Sequence, residues 1–283
     1  MEVETVEIVY GPRDETFKLM IQTVLSKSKL KQKYIDLLLD EESLRLYGNA
    51  FTNAIADPVN NYEFYEILGD ATVNKSMVWY LFRRFPELNC VEGGGILSRL
   101  KQQLVAKESF SNLAYGIKFW DFVTVDKKSK EMNRKKILED VFEAFFGVTE
   151  YILDTRIKLG VGSVICYQIL ETLMDGIQIS TRYEYLYDAK TRLKEIFDYA
   201  VSRKNGIGKF RYDTLPRQED IAGYNVNLVR IAPDGSEQLI GRGFAMLKQD
   251  AEKRAAEEGI ATLKRMGFWK PVPEIYKKFE KRN

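Results

Sequence analysis

Three carboxylates and one amide recur at helical spacing in the stretch "EFYEILGDATVN", residues 63–74. They are Glu63, Glu66, Asp70 and Asn74. At 100° per residue an α-helix places the three carboxylates within about 60° of one another, with the amide in the same sector. A second acidic pair, three residues apart, lies in "ILEDVFEAFFGV" and consists of Asp140 and Glu143. Such oxygen donors are the ligands that a hard divalent cation prefers.

Apolar residues surround both sets of acids, which predicts that both helices are buried. Like charges repel at this spacing, and a buried carboxylate without a partner is costly. Neither core stretch contains a Lys or Arg that would neutralise the acids. A divalent cation held between the two helices would offset this cost, and Gly69 and Gly147 would let the helices approach closely. The alternative is that both are ordinary solvated acidic faces.

The composition excludes several kinds of chemistry. The chain has no histidine, so catalysis by Ser-His or Cys-His pairs and metal binding by histidine are excluded. Its two cysteines, Cys90 and Cys166, lie far apart and in no zinc-ligand spacing. Hydrolysis would therefore depend on carboxylates, Lys, Tyr or a bound metal, and the metal sites that remain are oxygen-ligand sites for Mg²⁺ or Mn²⁺.

Targeting and membrane signals are not evident in the sequence. The N-terminal stretch "MEVETVEIVY" lacks the basic flank of a secretory signal and the Arg-rich pattern of a transit peptide. No run of about 18 uncharged apolar residues is present. We therefore expect an intracellular, soluble protein with no membrane partner.

The pattern of elements changes along the chain. Helical periodicity continues to about residue 185, with the polar stretch "VDKKSKEMNRKK" (125–136) expected to be an exposed loop. From Asp188 onwards, basic residues outnumber acidic ones, and the order α-β-β-β-α is predicted, with an Asp-Gly hairpin in "APDGSEQ". We therefore predict an all-α domain followed by a small α+β domain that binds a polyanion.

Four stretches in succession resemble the ribonuclease III family, between about residues 40 and 268. "EFYEILGDATVN" resembles the family's signature helix, and "LEDVFEAFFGVTEYILD" resembles its second acidic helix. The segment "RRFPEL…EGGGILSRLKQQLV" is similar to the region between them. "DAKTRLKEIF" resembles the start of the family's double-stranded-RNA-binding domain.

The resemblance implies a ribonuclease III catalytic domain over 13–183, a double-stranded-RNA-binding domain over 187–268 and a C-terminal tail over 269–283. It implies a Mg²⁺-dependent endoribonuclease, with Mn²⁺ as a substitute, that acts on double-stranded RNA as a homodimer. Matched to the family's motifs, the catalytic and metal-binding carboxylates are Glu66, Asp70, Asp140 and Glu143. The supporting residues expected around them are Glu63, Asn74 and Glu92.

The sequence departs from the family pattern at three places. The stretch "FTNAIA" has Asn53 and Ala54 where the family often has T-H-R-S or T-H-K-S, and "EGGGILS" is two residues longer than usual. The RNA-binding domain lacks one Lys of the usual S-K-K motif, so we expect weaker RNA binding. The RNA-contacting candidates that remain are Thr191, Glu195, Arg217, Lys248, Lys253 and Arg254.

An alternative is a catalytically inactive relative, an RNA-binding structural subunit of a ribonucleoprotein or processing complex. Such a protein has no reason to keep four carboxylates within apolar helices, because each destabilises the fold without a metal. All four are present, which favours the enzyme.

Overall fold

The computed structural model describes residues 6–216 and 222–279. The chain divides between Ile179 and Ser180 into a helical unit and a smaller α+β unit. This confirms the predicted fold class. Within the described residues, no helix is long and apolar enough to cross a membrane.

The first unit is built almost entirely from helices. They are α1 (Glu15–Lys27), α2 (Gln32–Leu38), α3 (Glu41–Ala50), α4 (Glu63–Arg84), α5 (Gly94–Leu104), α6 (Lys107–Gly116), α7 (Lys127–Met132), α8 (Arg134–Arg156) and α9 (Val161–Met174). Short 3₁₀ turns cover Pro86–Leu88 and Phe119–Phe122. Two short strands, β1 (Ile8–Val9) and β2 (Val125–Asp126), pair antiparallel.

Helix starts follow local capping chemistry. Asp14 precedes α1 and accepts a hydrogen bond from the Thr16 amide, and Asp40 precedes α3 and accepts one from the Ser43 amide. These carboxylates satisfy backbone donors that the first turn leaves without partners.

Helix α8 forms the centre of the first unit. Its residues from Ile137 to Thr149 are nearly all buried, as its apolar surroundings predict. The ring of Phe142 stacks on Phe110 with centroids 4.9 Å apart, and Phe145 contacts Tyr47 at 5.4 Å. The aromatic residues of α8 therefore serve the core, and its acids are held on a rigid element.

Helix α4 is buried on one side only, so the expectation of burial all round was wrong for this helix. Val73, Met77 and Leu81 are buried, whereas Ile67 is 74% exposed and Trp79 is 52% exposed. Periodicity could not separate the two faces, because both carry large apolar residues.

The stretch 125–136 is also more ordered than the exposed loop predicted for it. It contains β2, helix α7 and the start of α8. The Asp126 carboxylate accepts a hydrogen bond from the Ser129 amide at 2.9 Å, which caps α7. A capping aspartate at the head of a charged segment is the signal that indicates a helix here.

The second unit has the predicted α-β-β-β-α order with a short helix at each end. Its elements are α10 (Tyr183–Leu186), α11 (Ala189–Ser202), β3 (Lys209–Thr214), β4 (Tyr224–Ile231), β5 (Glu237–Ala245), α12 (Lys248–Arg265) and α13 (Glu274–Lys278). The strands form an antiparallel sheet in the order β3-β4-β5, with a bulge between Leu228 and Val229. Gly243 lets α12 pack directly on β5, because a Cβ there would lie 1.9 Å from the Ala251 carbonyl oxygen.

The segment assigned as a tail, 269–279 of it described, packs against the residues that precede α11. The hydroxyls of Tyr187 and Tyr276 lie 2.5 Å apart, and the Thr181 hydroxyl donates to the Phe279 carbonyl oxygen at 2.8 Å. Residues 180–183 thus group with the second unit, whereas the sequence placed the end of the first domain at 183.

Candidate active site

The two acidic helices, α4 and α8, meet at facing glycines. A Cβ on Gly69 would lie 1.8 Å from the carbonyl oxygen of Glu143, and one on Gly147 would lie 1.9 Å from that of Tyr65. Only glycine permits this approach of two backbones. The contact brings the "EFYEILGD" helix directly against the "EDVFE" helix, as the two glycines predicted.

The four carboxylates assigned to the site differ in exposure. Asp140 and Glu143 on α8 are 4% and 8% exposed, Glu66 on α4 is partly buried, and Asp70 is exposed. The two assigned acids of α8 are therefore shielded from solvent, whereas Asp70 on α4 is exposed to it.

The cluster acts as an electrostatic unit. The pKa of Glu143 is raised to about 8, first by burial and then by the negative charges of four neighbours. Those neighbours are Asp70, Glu139, Glu66 and Asp140. The structure thus brings Glu66, Asp70 and Asp140 within electrostatic reach of Glu143.

Two further carboxyls carry raised pKa values for the same reasons. Burial raises the pKa of Glu66 to about 7, with contributions from the charges of Asp140 and Glu63. Burial raises the pKa of Asp140 to about 6, against the opposing positive charge of Lys136. Crowded, partly desolvated carboxylates retain protons unless a cation replaces them.

The donor set suits a hard divalent cation, because it consists of oxygen ligands alone and its charge is poorly compensated. Within residues 6–216 and 222–279, however, no three acidic or cysteine side chains converge closely enough to hold one ion directly. The side chains as placed are therefore near one another without forming a closed set of ligands.

Lysines from outside the two core stretches lie close to the cluster, a feature that sequence reasoning missed. Lys136 Nζ is 4.0 Å from Asp140 Oδ2, and Lys107 Nζ is 2.7 Å from Glu139 Oε2. The i, i+4 spacing of Lys136 and Asp140 was a usable signal. Lys107 lies on α6 and carried no such signal in the sequence.

A hydrogen-bonded arm that sequence reasoning also missed reaches the cluster from the loop before α4. Tyr62, 3% exposed, donates from its hydroxyl to Asp140 Oδ2 at 3.3 Å and accepts from Asn53 Nδ2 at 2.7 Å. Asn53 is one of the departures from the family pattern. It is linked to Asp140 through the Tyr62 hydroxyl.

The predicted supporting residues are distributed differently. Asn74 donates from Nδ2 to Asp70 Oδ1 at 2.6 Å, which holds that carboxylate on α4. Glu63 is exposed at the start of α4, and its charge acts on Glu66. Glu92 is exposed in the turn before α5, and its proximity to the cluster stays a prediction.

The RNA-contacting candidates of the second unit lie on α11 and α12, except that Arg217 falls outside the described residues. Thr191 donates from its hydroxyl and its amide to Asp188, at 2.8 and 3.0 Å. Lys248, Lys253 and Arg254 are exposed at the N-terminal half of α12, and the Arg254 guanidinium donates to the Phe244 carbonyl oxygen at 2.7 Å.

Glu195 is engaged within its own unit. Its carboxylate accepts a hydrogen bond from the Tyr183 hydroxyl and one from Lys270 Nζ at 2.8 Å. Both of these bonds end on Oε2, so a contact with RNA through Oε1 would leave them in place.

Comparison with known proteins agrees with the resemblance. The Ribonuclease III domain family matches residues 63–151, the segment that contains α4 and the acidic part of α8. A ribonuclease 3 homologue of Invertebrate iridescent virus 6 is 35% identical, over 96% of this chain and 96% of its own length.

Two further relatives are similar over most of the chain. A ribonuclease 3 homologue of Frog virus 3 (isolate Goorha) is 31% identical over 87% of this chain, which spans 62% of that protein. Ribonuclease 3 of Geobacillus sp. (strain WCH70) is 27% identical over 86% of this chain and 93% of its own length. The chain therefore belongs to the ribonuclease III family of endoribonucleases.

Proposed function

We propose that this protein cleaves double-stranded RNA in a divalent-metal-dependent reaction at the junction of α4 and α8. The observation that carries the proposal is the burial of Asp140 and Glu143 opposite Glu66 and Asp70 across the glycine contact. Buried carboxylates that raise each other's pKa are costly to the fold, and such groups concentrate at functional sites.

The metal that the family implies is Mg²⁺, or Mn²⁺ in its place. The residues that would hold it, directly or through water, are Glu66, Asp70, Asp140 and Glu143. When bound, such an ion supplies Lewis acidity at a phosphodiester and makes a coordinated water more acidic. The chain itself supplies oxygen donors on two rigid helices whose spacing the glycine contact holds.

Other residues limit and orient the donor set. Lys107 pairs with Glu139 at 2.7 Å, so this neighbouring acid already has a cationic partner of its own. Asn74 holds Asp70 along α4 by its amide. These contacts support a site in which particular carboxylates, and not every acid nearby, face the phosphate.

A homodimer is supported by an apolar stripe on α4. Phe64 and Ile67 are exposed about one turn apart, and Val78 and Phe82 are exposed one turn apart on the same face, about three turns further along the helix. The stripe lies beside the helix face that carries Glu66 and Asp70, about 100° further round the helix. Exposed large apolar residues that share one helix face are typical of interfaces. A second copy seated on this stripe would place two acidic clusters near one duplex.

The second unit is proposed to bind duplex RNA through α11 and α12. Against the opposing effect of burial, hydrogen bonds from Thr191 lower the pKa of Asp188, and the positive charge of Lys253 adds a smaller contribution. Lys253 of α12 therefore lies near the N-terminus of α11. Phosphate recognition by such a surface depends on shape and charge and tolerates many sequences.

The decisive experiment incubates the full chain with a long RNA duplex in Mg²⁺, in Mn²⁺ and in a chelator. Cleavage with either metal and none with the chelator is expected. Glu143→Gln, which keeps the shape of the side chain, should abolish cutting while duplex binding in a gel-shift assay persists. Binding without cleavage by the wild-type chain in both metals would instead favour the non-catalytic RNA-binding subunit.

A further inference from the structure

A chain of hydrogen bonds, here called the arm, runs from Asn53 through Tyr62 to Asp140. Hydrogen bonds of the backbone fix both Asn53 and Tyr62 in place. Asn53 donates from its own amide nitrogen to the Thr124 carbonyl oxygen at 2.9 Å, and its Oδ1 accepts from the Ile55 amide at 2.9 Å. The Tyr62 backbone amide donates to the Thr52 carbonyl oxygen at 3.0 Å. The arm is therefore a defined structure, and not a chance contact of flexible side chains.

These contacts also fix the direction of the hydrogen bonds. Because Asn53 Oδ1 is occupied by the Ile55 amide, the group that faces Tyr62 is the NH₂, which can only donate. The tyrosine oxygen therefore accepts from Asn53, and its proton is left to point at Asp140 Oδ2. The arm delivers one donor to one oxygen of the carboxylate.

Holding one oxygen has a consequence for the other. Asp140 is nearly fully buried, and Lys136 approaches the same Oδ2 from the exposed side at 4.0 Å. Both of these contacts are made by Oδ2, so neither of them occupies Oδ1. Outer partners of this kind orient ligating carboxylates and tune their affinity for metal.

We propose that Asn53 and Tyr62 are positioning residues that orient Asp140 for the divalent cation, so that the Tyr62 hydroxyl sets metal affinity without touching RNA. This inference rests on the proposed function, since it assigns a purpose to Asp140 within that site. It places part of the site's preorganisation in a loop 78 residues from Asp140 along the chain.

Tyr62→Phe tests the proposal, because it removes the hydroxyl and keeps the buried ring. Mn²⁺ affinity of the full chain is measured by isothermal titration, alongside kcat and KM for a short RNA duplex at saturating Mn²⁺. We expect Mn²⁺ to bind about 10- to 100-fold more weakly. We expect KM for the duplex to stay within about twofold of wild type, because the Tyr62 side chain is buried away from the surface that RNA could reach.

Tyr47→Phe is the matched control. Tyr47 is another buried tyrosine whose hydroxyl bonds to α8, through Thr149 Oγ1 at 2.7 Å, but it does not contact the acids. It should lower thermal stability about as much as Tyr62→Phe and leave Mn²⁺ affinity unchanged. Equal weakening of Mn²⁺ binding by both substitutions would reduce the arm to general packing and overturn the proposal.

Asn53→Ala and the double substitution with Tyr62→Phe provide a second route, which also covers the case that Tyr62→Phe fails to fold. Asn53→Ala should weaken Mn²⁺ binding less than Tyr62→Phe does. Two residues in one chain of hydrogen bonds should not add, so the double variant should match Tyr62→Phe. If both Asn53→Ala and Tyr62→Phe keep the Mn²⁺ affinity of wild type, the positioning role of the arm is overturned and the proposed function is not. A wild-type chain that binds no Mn²⁺ overturns the proposed function with it.

Discussion

Replacement of Gly69 by alanine is the sharpest test of how the two acidic helices are held together. The added Cβ would lie 1.8 Å from the carbonyl oxygen of Glu143 and 2.9 Å from the amide nitrogen of Gly147. Both atoms belong to the backbone, so no flexible side chain can turn away to make room. The helices must separate, and the displaced carbonyl belongs to one of the proposed metal ligands.

The size of the effect follows from the geometry. Ordinary van der Waals contact begins near 3.4 Å, so the Cβ of Gly69→Ala falls 1.6 Å short of it. Overpacking of a core costs about 1–3 kcal/mol and occasionally more, and a shortfall this large belongs at the upper end. Alanine regains about 1 kcal/mol of helix propensity. A net loss of about 2 kcal/mol should lower the melting temperature of this unit by about 4–8 °C.

Calorimetry and Mn²⁺ titration of the full chain measure the two consequences. We expect a lower melting temperature together with weaker Mn²⁺ binding and slower duplex cleavage, because the acids of α4 and α8 move apart. Gly95→Ala is the control, since this glycine also lies in a helix, α5, and its Cβ would meet nothing within 4 Å. It should leave both properties unchanged or raise stability slightly. Gly69→Ala with the melting temperature and Mn²⁺ affinity of wild type would refute the close contact.

Three further outcomes are expected. In chelator, stability should fall as pH rises from about 5 to about 8, because the folded pKa of Glu143, about 8, exceeds its reference value of 4.5 and the folded state therefore holds the proton longer. Glu143→Gln should flatten this profile in urea titrations, and an unchanged slope would contradict the assignment. Ile67→Glu should weaken self-association, measured by sedimentation, about tenfold or more, which corresponds to about 1.4 kcal/mol. Leu19→Glu on α1 is the control and should leave self-association intact. Equal sedimentation of the two variants would argue against a dimer through α4. Lys253→Ala should reduce the slope of log affinity for the duplex against log salt concentration by about one unit. Lys264→Ala, at the far end of α12, should leave that slope unchanged. Equal slopes for the two variants would remove Lys253 from the interface.

Spacing along the sequence was enough to predict which acids share a helix face, because helical periodicity is local. Glu66 and Asp70 on α4, and Asp140 and Glu143 on α8, could be assigned in this way. The facing of the two helices was predictable only through Gly69 and Gly147, because the cost of glycine in a helix requires a compensating contact.

Contacts between residues distant in sequence could not be predicted in the same way. The bond from Tyr62 to Asp140 spans 78 positions, and that of Lys107 with Glu139 joins two helices whose packing no local pattern specifies. The two faces of α4 carry similar apolar residues, so sequence alone could not tell that Ile67 faces outward and Met77 inward. The sequence therefore predicted the helix faces on which the acids lie, but not the residues that surround them.

The site places two opposing demands on the same pair of helices. The glycine contact draws α4 and α8 together, while the carboxylates that they carry repel across the seam and raise the pKa of Glu143. Packing of the aromatic core behind α8 must offset that repulsion, since Lys136 is largely exposed and neutralises only part of it. A chain selected for stability alone would replace these acids with apolar residues, which buried charges rarely outperform. Their retention in helices that are otherwise so apolar is explained when a cation completes the site.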